Sequence, residues 1–512
     1  MQDPKGIFLG ASHKGEKHSI QPEYIWLAYA NRHGLVTGAT GTGKTVTLQV
    51  LAESFSAAGV PVFCADIKGD LSGIAKAGTA SDKIKMRAAD VGIKRMNMQA
   101  SPVIFWDIFG EAGHPVRATV SEMGPLLLSR LMNLTAAQEG VLNIAFRVAD
   151  EQGLLLLDLK DMQAMLSYVG EHAGELSTRY GNVSKASVGT IQRELLVLDG
   201  QGGIKFFGEP ALELSDLMRT ANDGRGMISV LAANRLMNSP RLYSTFLLWL
   251  MSELFEQLPE IGDPDKPRLV FFFDEAHLLF DSAPKALVER IEQVVRLIRS
   301  KGVGIYFISQ NPLDVPETVL AQLGNRIQHA LRVYTPREIA AIKAAAGTFR
   351  ANPDFDTEKA IVNLATGEAL VSTLQEKGVP SVVQRTTIRP PVSQIGPLSP
   401  EEHARIIATS PVAGQYDKML DRESAYEILI KAAEQKAQNN TQTDEQSGLW
   451  DNVSDVVFGK SGKGGRRRQS VAEAALKSAT RSAANSIGRA IAREGGDIVR
   501  GILGNLLGGK GK

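Results

Sequence analysis

The sequence predicts an α/β fold in which a mostly parallel β-sheet is flanked by helices. Three observations predict it. Short apolar runs of strand length alternate with helical segments along residues 1–390. A glycine-rich loop joins one such run, at 34–37, to a helix at 46–56. A second run, at 269–273, ends in two adjacent carboxylates. Ligands bind outside the carboxyl ends of parallel strands, so we expect the functional site at that edge.

The glycine-rich loop, which we call the P-loop, fits the phosphate-binding pattern G-x-x-x-x-G-K-[ST]. It consists of Gly38, Ala39, Thr40, Gly41, Thr42, Gly43, Lys44 and Thr45. Glycines allow successive backbone N–H groups to turn toward a polyphosphate, and the dipole of the following helix favours the same anion. Lys44 is expected to reach the β- and γ-phosphates, and the Thr45 hydroxyl to bind Mg²⁺. The alternative is a glycine-rich turn with an accidental lysine.

The run at residues 269–273 contains five apolar residues and is followed directly by Asp274 and Glu275. A buried strand holds a carboxylate rigidly at its end, so Asp274 is expected to organise the Mg²⁺ shell. Glu275, one residue further on, is expected to orient and polarise the attacking water. Alone, this pattern also fits a strand that meets a helix cap. Together with the P-loop it predicts nucleotide hydrolysis.

A third polar position follows the apolar run 304–308, which leads into Ser309 and Gln310. Beside the strand that carries Asp274, Gln310 would lie near the γ-phosphate and could report its presence to neighbouring elements. The alternative is a capping Ser–Gln pair ahead of the turn at Asn311.

A fourth candidate position follows the apolar run 60–65, which is consistent with a buried parallel strand. The run leads into Asp66 and Lys68. Either residue could lie near the nucleotide or the metal, because the carboxyl ends of parallel strands face the ligand crevice. Ordinary turn chemistry is the alternative, since Asp and Gly favour turns.

Arg326 and Arg332 are candidates for a catalytic contribution from a neighbouring subunit. An arginine supplied in this way can stabilise the charge that builds on the γ-phosphoryl group. Each can equally be an ordinary surface residue. The same two alternatives, substrate contact or a solvated face, apply to His114, Arg117 and Arg130.

The composition fits a reducing compartment. Cys64 is the single cysteine of the 512 residues, which excludes an internal disulfide. The N-terminus lacks the charged-then-apolar run of a signal peptide, and no apolar run reaches the ~18 residues that span a bilayer. We therefore expect a cytoplasmic protein.

Four segments are expected along the chain. They are a motor domain at 1–390 with a helical insertion at about 107–225, a helical appendage at 391–437, a disordered linker at 438–470, and a basic amphipathic tail at 471–512. Residues 460–512 contain twelve Lys/Arg and three Asp/Glu, so the remainder carries a net −8 within a formal total of +1. The tail could dock on a partner protein, contact DNA or RNA phosphates, or adsorb to an anionic membrane surface.

These motifs resemble those of the HerA/FtsK superfamily, and the HerA-like, YjgR-type subgroup in particular. The similar segments are Gly38–Thr45, Asp66-Ile67-Lys68-Gly69-Asp70, His114-Pro115-Val116-Arg117, Ser121-Glu122-Met123-Gly124-Pro125 and Phe273-Asp274-Glu275-Ala276-His277. The resemblance spans about residues 5–390 and extends to the tail. It implies a RecA-like core of the additional-strand, catalytic-glutamate type.

The resemblance also implies what the protein does. It implies a homo-oligomer, a hexamer, that hydrolyses ATP with Mg²⁺ between subunits and translocates double-stranded DNA. The roles of Lys44, Thr45, Asp274, Glu275 and Gln310 are those given above, with a trans arginine near residue 326 or 332. The alternative is a nucleotide-switched assembly ATPase that acts on a protein or membrane partner, since related motors move proteins as well as DNA.

Overall fold

The computed structural model describes residues 5–14, 19–280, 285–333 and 335–441. Within these ranges one twelve-stranded sheet forms the centre of the fold. Its strands are β1 (Gly6–Lys14), β2 (Ser19–Trp26), β3 (Gly34–Thr37), β4 (Val62–Asp66), β5 (Val103–Asp107), β6 (His114–Pro115), β7 (Ile228–Ala232), β8 (Leu269–Phe273), β9 (Val303–Ser309), β10 (Asn325–Gln328), β11 (Glu368–Ser372) and β12 (Gln384–Ile388).

The described ranges also contain α-helices. They are α1 (Lys44–Ala57), α2 (Asp82–Asp90), α3 (Val120–Leu131), α4 (Ala136–Gln152), α5 (Leu159–Glu171), α6 (Ala173–Tyr180), α7 (Lys185–Gly200), α8 (Gly203–Phe206), α9 (Leu214–Leu217), α10 (Pro240–Gln257), α11 (His277–Phe280), α12 (Lys285–Leu297), α13 (Glu317–Leu320), α14 (Pro336–Gly347), α15 (Thr357–Val362), α16 (Pro400–Ala408) and α17 (Ala425–Thr441).

The strand order across the sheet is β2-β1-β12-β11-β10-β3-β9-β8-β4-β7-β5-β6. Neighbours from β10 to β6 pair in parallel, and neighbours from β2 to β10 pair antiparallel. The predicted mostly parallel α/β sheet is therefore confirmed. Strand β9 lies between β3, which precedes the P-loop, and β8, which precedes Asp274. This intervening strand is the one that the additional-strand type requires.

Helix α1 is held against the sheet by aromatic packing. Phe55 is fully buried, and its ring centroid lies 6.1 Å from that of Phe272 on β8 and 5.9 Å from that of Tyr306 on β9. Burial of an aromatic side chain of this size stabilises the fold by about 1.5–3 kcal/mol. The contact fixes the helix behind the P-loop relative to both strands whose ends carry the candidate catalytic residues.

The sequence pattern does not predict the antiparallel part of the sheet. It indicates one short strand in residues 1–33, at residues 7–9, and a final strand at 367–373. The structure instead places β2 after β1, and β12 after β11. Four residues of β2 are exposed, and β10 contains a single apolar residue, Ile327. Such strands lack the apolar pattern that reveals a strand in sequence.

The described chain divides into two compact units. One contains residues 1–135 and 194–421 and includes the whole sheet. The other contains residues 136–193 and the chain from 422. In this second unit Asp161 is fully buried and accepts hydrogen bonds from the Ser424 hydroxyl at 2.5 Å and the Tyr426 N–H at 2.9 Å. These bonds tie helix α5 to the start of α17.

Several expectations concern the C-terminal part of the chain. Ser399, Pro400 and Glu402 have the sequence pattern of a capped helix start. The structure confirms this capping box, because the Ser399 side chain accepts from the Glu402 N–H at the start of α16. Helix α17 extends to Thr441, past the boundary expected at 437. The rest of the linker and the basic tail lie outside the described residues, and the domain boundaries stay predictions. Among the described helices, none is both long and apolar enough to cross a membrane.

Candidate active site

The P-loop adopts a conformation that requires glycine. Gly38, Gly41 and Gly43 have φ angles of 154°, 78° and 117°. A Cβ atom added at Gly38 would lie 2.5 Å from the Cβ atom of His329. The loop is clamped from outside, since the Ala39 N–H donates to the Ala330 carbonyl oxygen at 2.8 Å. A tight loop of this kind leaves its remaining backbone donors free to face an anion.

Lys44 lies inside this cradle. Its Nζ donates to the carbonyl oxygens of Gly38 at 2.5 Å and Ala39 at 3.1 Å, and the residue is 6% exposed. Burial and the charge of Lys68 lower the pKa of Lys44, while Glu275 and Asp274 oppose this shift. The ammonium group therefore lies among its own loop carbonyls and within electrostatic range of both carboxylates.

Asp274 and Glu275 follow β8 at the same edge of the sheet as the P-loop, because β8, β9 and β3 are parallel. Both residues are buried. Asp274 accepts from the Glu275 N–H at 2.9 Å, and Glu275 has a φ of 48°. This left-handed conformation is uncommon for a residue with a side chain and clusters at functional sites. It turns the chain sharply after Asp274.

The Glu275 carboxylate is surrounded by donors. Lys68 Nζ lies 2.6 Å from Oε1, and His277 Nδ1 lies 3.4 Å from Oε2. Gln310 Nε2 donates to the two oxygens at 3.3 and 3.2 Å. Burial would raise the pKa of Glu275, but Lys68 and Gln310 outweigh it, so the pKa lies below its usual value.

Gln310 joins the P-loop to Glu275. Its side-chain oxygen accepts from the Thr40 hydroxyl at 3.4 Å, while its amide nitrogen faces Glu275. The structure thus brings together the P-loop, Glu275 and Gln310, as expected from adjacent parallel strands. The alternative of a capping Ser–Gln pair applies to its neighbours instead, since Ser309 and Asn311 bond the Asp314 carboxylate.

The residues present fit a magnesium ion bound together with a triphosphate. Asp274 keeps one carboxylate oxygen that accepts no hydrogen bond from the described residues, and the half-buried Thr45 lies in the first turn of α1. Burial, followed by the charge of Glu275, raises the pKa of Asp274 to about 7, and a nearby cation would favour its charged form. Among the described residues no group of three or more His, Cys, Asp or Glu side chains could hold a metal.

The two arginine candidates have different surroundings. Arg326 lies on β10 and donates to the carbonyl oxygens of Leu323 at 3.2 Å and Leu320 at 2.9 Å, so its guanidinium is engaged within its own chain. Arg332 follows β10 at the P-loop edge, and its side chain is exposed. The role of either arginine in a neighbouring site stays a prediction.

The sequence left two interpretations open for Asp66 and Lys68, a turn or a place in the site. Asp66 fits the first and Lys68 fits the second. Asp66 accepts from the Gly69 N–H at 2.8 Å and the Leu71 N–H at 3.0 Å, which is turn chemistry. Lys68 instead reaches Glu275.

Substrate contact by His114, Arg117 or Arg130 stays a prediction. Arg130 is exposed, as the solvated-face alternative predicts. That alternative is wrong for His114 and Arg117. Both are buried, and they hold the segment around residue 416. His114 Nδ1 lies 2.8 Å from Asp417 Oδ1, and Arg117 donates to the Tyr416 carbonyl oxygen at 2.9 Å. The reason is topological: β6 pairs with β5 at the end of the sheet, where the residues near 416 cover it. Sequence spacing does not reveal such a distant cover.

His329 is a site residue that the sequence did not single out. It is fully buried against the P-loop, and burial lowers its pKa to about 4. Its position directly after β10 would place it at the same edge of the sheet as the P-loop, but the sequence pattern does not indicate that strand.

An open cleft of about 1050 Å³ adjoins the P-loop at the start of α1. Its lining includes Val46, Thr47, Met86, Arg87 and Gly367. Met86 is 69% exposed, which leaves a large apolar side chain at the rim. The cleft is large enough for a nucleoside, since ligand pockets span roughly 300–1,000 Å³.

The chain is similar in sequence to known proteins. The family model described as helicase HerA-like C-terminal matches residues 11–512. A probable helicase of Methanocaldococcus jannaschii is 31% identical over 125 residues, which cover 24% of this chain and 22% of that protein.

Two solved structures are similar over much of the chain. The bacterial conjugative coupling protein TrwBdeltaN70 gives a TM-score of 0.49 at 14% identity, covering 74% of this chain and 89% of that one. VirB4 of Thermoanaerobacter pseudethanolicus gives 0.47 at 17% identity, covering 78% and 99%. Because the family model matches nearly the whole sequence, the chain belongs to the helicase HerA-like C-terminal family.

Proposed function

We propose that this protein is a Mg²⁺-dependent ATPase motor that assembles as a ring, a hexamer, and translocates or remodels double-stranded DNA. The observation that carries the hydrolysis is the convergence of Lys44, Glu275 and Gln310 at one edge of the sheet. Family membership supports the motor class. The name of the archaeal relative, a probable helicase, supports DNA as the cargo.

Each residue has a distinct part in the proposed reaction. The P-loop backbone and Lys44 bind the β- and γ-phosphates, for which Lys44 leaves its loop carbonyls. Glu275 accepts a proton from the attacking water and orients it toward the γ-phosphorus. Gln310 keeps the Glu275 carboxylate in place. Mg²⁺, held by Thr45 and Asp274, supplies charge neutralisation of the phosphates.

The nucleoside half of the substrate is assigned to the cleft beside the P-loop. Val46 and Thr47 lie directly after the phosphate-binding residues, so a chain of phosphates on the P-loop leads into this space. Met86 offers an apolar surface for a base, and Arg87 is fixed by a 2.9 Å bond to the Thr366 carbonyl oxygen. ATP is the substrate proposed, on the strength of the family.

Hydrolysis is tested by measuring phosphate release from ATP with Mg²⁺. Lys44→Ala should abolish nucleotide binding or turnover, and Glu275→Gln should retain ATP but stop hydrolysis. Lys94→Ala is the matched control, because Lys94 is an exposed lysine outside the candidate site residues, and this variant should behave as wild type. Normal turnover by the Glu275→Gln protein would remove Glu275 from the water-activating role.

The cargo and the ring are tested separately. Particle mass with ATP and Mg²⁺, with and without long duplex DNA, should show six subunits and a DNA-bound species. No stimulation of turnover by duplex DNA, together with no DNA retention at low salt, would contradict the DNA proposal. Tail-dependent binding to anionic liposomes without DNA binding would instead support an assembly ATPase acting at a membrane. A cytoplasmic location is part of the proposal.

A further inference from the structure

Lys68 contacts Glu275 but has no role in the proposed reaction as described above. Its Nζ lies 2.6 Å from Glu275 Oε1, which makes it the nearest cation to the proposed water-orienting group. The Glu275 side chain is 5% exposed, whereas the Lys68 side chain is 37% exposed. Gln310 and His277 also face the same carboxylate. A carboxylate engaged by three neighbours has little capacity left for a water molecule.

The mobility of this contact lies in the lysine side chain and not in its backbone. Asp66 fixes the loop after β4 through the N–H groups of Gly69 and Leu71. The carboxylate partner is fixed as well, because Glu275 is buried at the end of β8. Lys68, by contrast, is a flexible four-carbon chain with a partly solvated end. It can therefore exchange partners without any rearrangement of the sheet.

A suitable second partner is the substrate itself. A short series of contacts links Lys68 to the P-loop. Lys68 pairs with Glu275, Gln310 Nε2 donates to the same carboxylate at 3.2 and 3.3 Å, and the Gln310 oxygen accepts from the Thr40 hydroxyl at 3.4 Å. A terminal phosphate bound by Lys44 carries more negative charge than a single carboxylate. It would therefore attract both lysines.

We propose that Lys68 is a positioning residue that holds Glu275 in an ion pair before substrate binds and moves to the terminal phosphate of the triphosphate, which releases the carboxylate for the attacking water. This exchange rests on the proposed ATPase function and adds a mechanism by which the site senses the γ-phosphate. A diphosphate lacks that group and leaves the ion pair in place. The hydrolytic group is thus available when there is a bond to hydrolyse.

A double-mutant cycle on binding tests the exchange without relying on turnover. The affinity of a non-hydrolysable ATP analogue, with Mg²⁺, is measured for wild type, Glu275→Gln, Lys68→Met and the double variant. Glu275→Gln removes a negative charge in either background and should tighten binding. In a protein that retains Lys68, Glu275→Gln should also free Lys68 before the analogue binds. The increase in affinity caused by Glu275→Gln should therefore be roughly three- to tenfold larger with Lys68 present than in the Lys68→Met background.

ADP provides the matched ligand control. With ADP, the increases in affinity caused by Glu275→Gln in the wild-type and Lys68→Met backgrounds should agree within about twofold, because no γ-phosphate competes for Lys68. Lys68→Arg keeps the charge and should keep the coupling. Thermal unfolding of each protein checks the fold, and Lys68→Gln replaces Lys68→Met if the latter does not fold.

The outcomes are distinct. Equal gains in the two backgrounds with the ATP analogue, or an equally large difference with ADP, would overturn the exchange while leaving the ATPase proposal intact. Failure of folded wild-type protein to bind the analogue at all would overturn the ATPase proposal, and the exchange with it.

Discussion

The imidazole of His329 and the hydroxyl of Thr47 form a 2.9 Å hydrogen bond beneath the P-loop. His329 Nδ1 donates to the Glu368 carbonyl oxygen at 2.8 Å, so Nε2 accepts from Thr47. Both side chains are buried. A single neutral histidine therefore joins helix α1 to the ends of β10 and β11, behind the loop that is expected to bind phosphate.

Replacement of Thr47 tests this support. Thr47→Val keeps the shape but leaves the buried Nε2 without a donor, so we expect a loss of about 1–3 kcal/mol in the free energy of unfolding. Urea unfolding measures it. Thr47→Ser retains the hydroxyl and is the control, with a smaller loss. A Thr47→Val protein as stable as wild type would show that the bond contributes nothing.

Gly38 and Gly41, the first two glycines of the P-loop, are expected to respond differently to alanine. At Gly38 the new methyl group would lie 2.5 Å from the His329 Cβ atom and 2.9 Å from the Thr42 hydroxyl. At Gly41 no atom lies within 4 Å, and the φ of 78° is the sole obstacle. Gly38→Ala should therefore abolish nucleotide binding, while Gly41→Ala should cost roughly 1–2 kcal/mol of strain and retain measurable affinity. Isothermal titration with ATP and Mg²⁺ checks both, and equal losses would contradict the prediction.

Gln310 is expected to influence the chemical step more than binding. Its bonds to Glu275 and Thr40 are long, between 3.2 and 3.4 Å, so their loss removes little ground-state stability. Gln310→Ala should lower kcat for ATP roughly tenfold or more, by freeing Glu275 to rotate, and should change KM by less than about threefold. Steady-state kinetics separates the two constants. A rise in KM with an unchanged kcat would place Gln310 in substrate binding instead.

His33 makes the fold sensitive to acid at a site remote from the P-loop. Its Nε2 donates to the Val295 carbonyl oxygen at 2.8 Å, and its Nδ1 accepts from the Ile305 N–H at 3.0 Å. Burial lowers the pKa of His33 from 6.5 to about 4. Between about pH 6.5 and 4, His33 is protonated in the unfolded chain and neutral in the folded chain. The contribution of neutral His33 to the free energy of unfolding is therefore complete above about pH 6.5 and is lost as the pH falls toward 4.

The expected loss from His33 is about 3 kcal/mol between pH 7 and pH 4. Urea unfolding across this range measures it. His33→Gln removes the titration, so its stability should be lower at neutral pH but should fall less steeply with acid. An identical slope for the two proteins would show that His33 does not govern this pH dependence.

Part of the candidate site could be identified from local patterns. The P-loop is contiguous in sequence, and its glycines and Lys44 follow a strand as the motif requires. Asp274 and Glu275 end a run of five apolar residues, which indicates a buried strand without knowledge of its neighbours. Gln310 could be placed beside them because consecutive strands of a parallel sheet tend to be adjacent. In each case a short, contiguous sequence pattern was enough to identify the candidate residue.

Other features depend on contacts between distant segments. Lys68 and Glu275 are separated by more than two hundred residues and meet because β4 and β8 pair in the sheet. His329 reaches the P-loop through β10, whose single apolar residue gives no strand pattern. His114 and Arg117 look polar and accessible in sequence, yet they are covered by residues near 416.

The sequence by itself determined that this chain is an α/β protein with a loop of the phosphate-binding pattern and a carboxylate pair, because those signals lie within single strands and turns. The tertiary structure alone decided which side chain neutralises Glu275, which histidine supports the P-loop, and which apparent surface residues are buried. The physical reason is that strand order in a sheet sets which segments meet, and a one-dimensional pattern contains the strands but not their order.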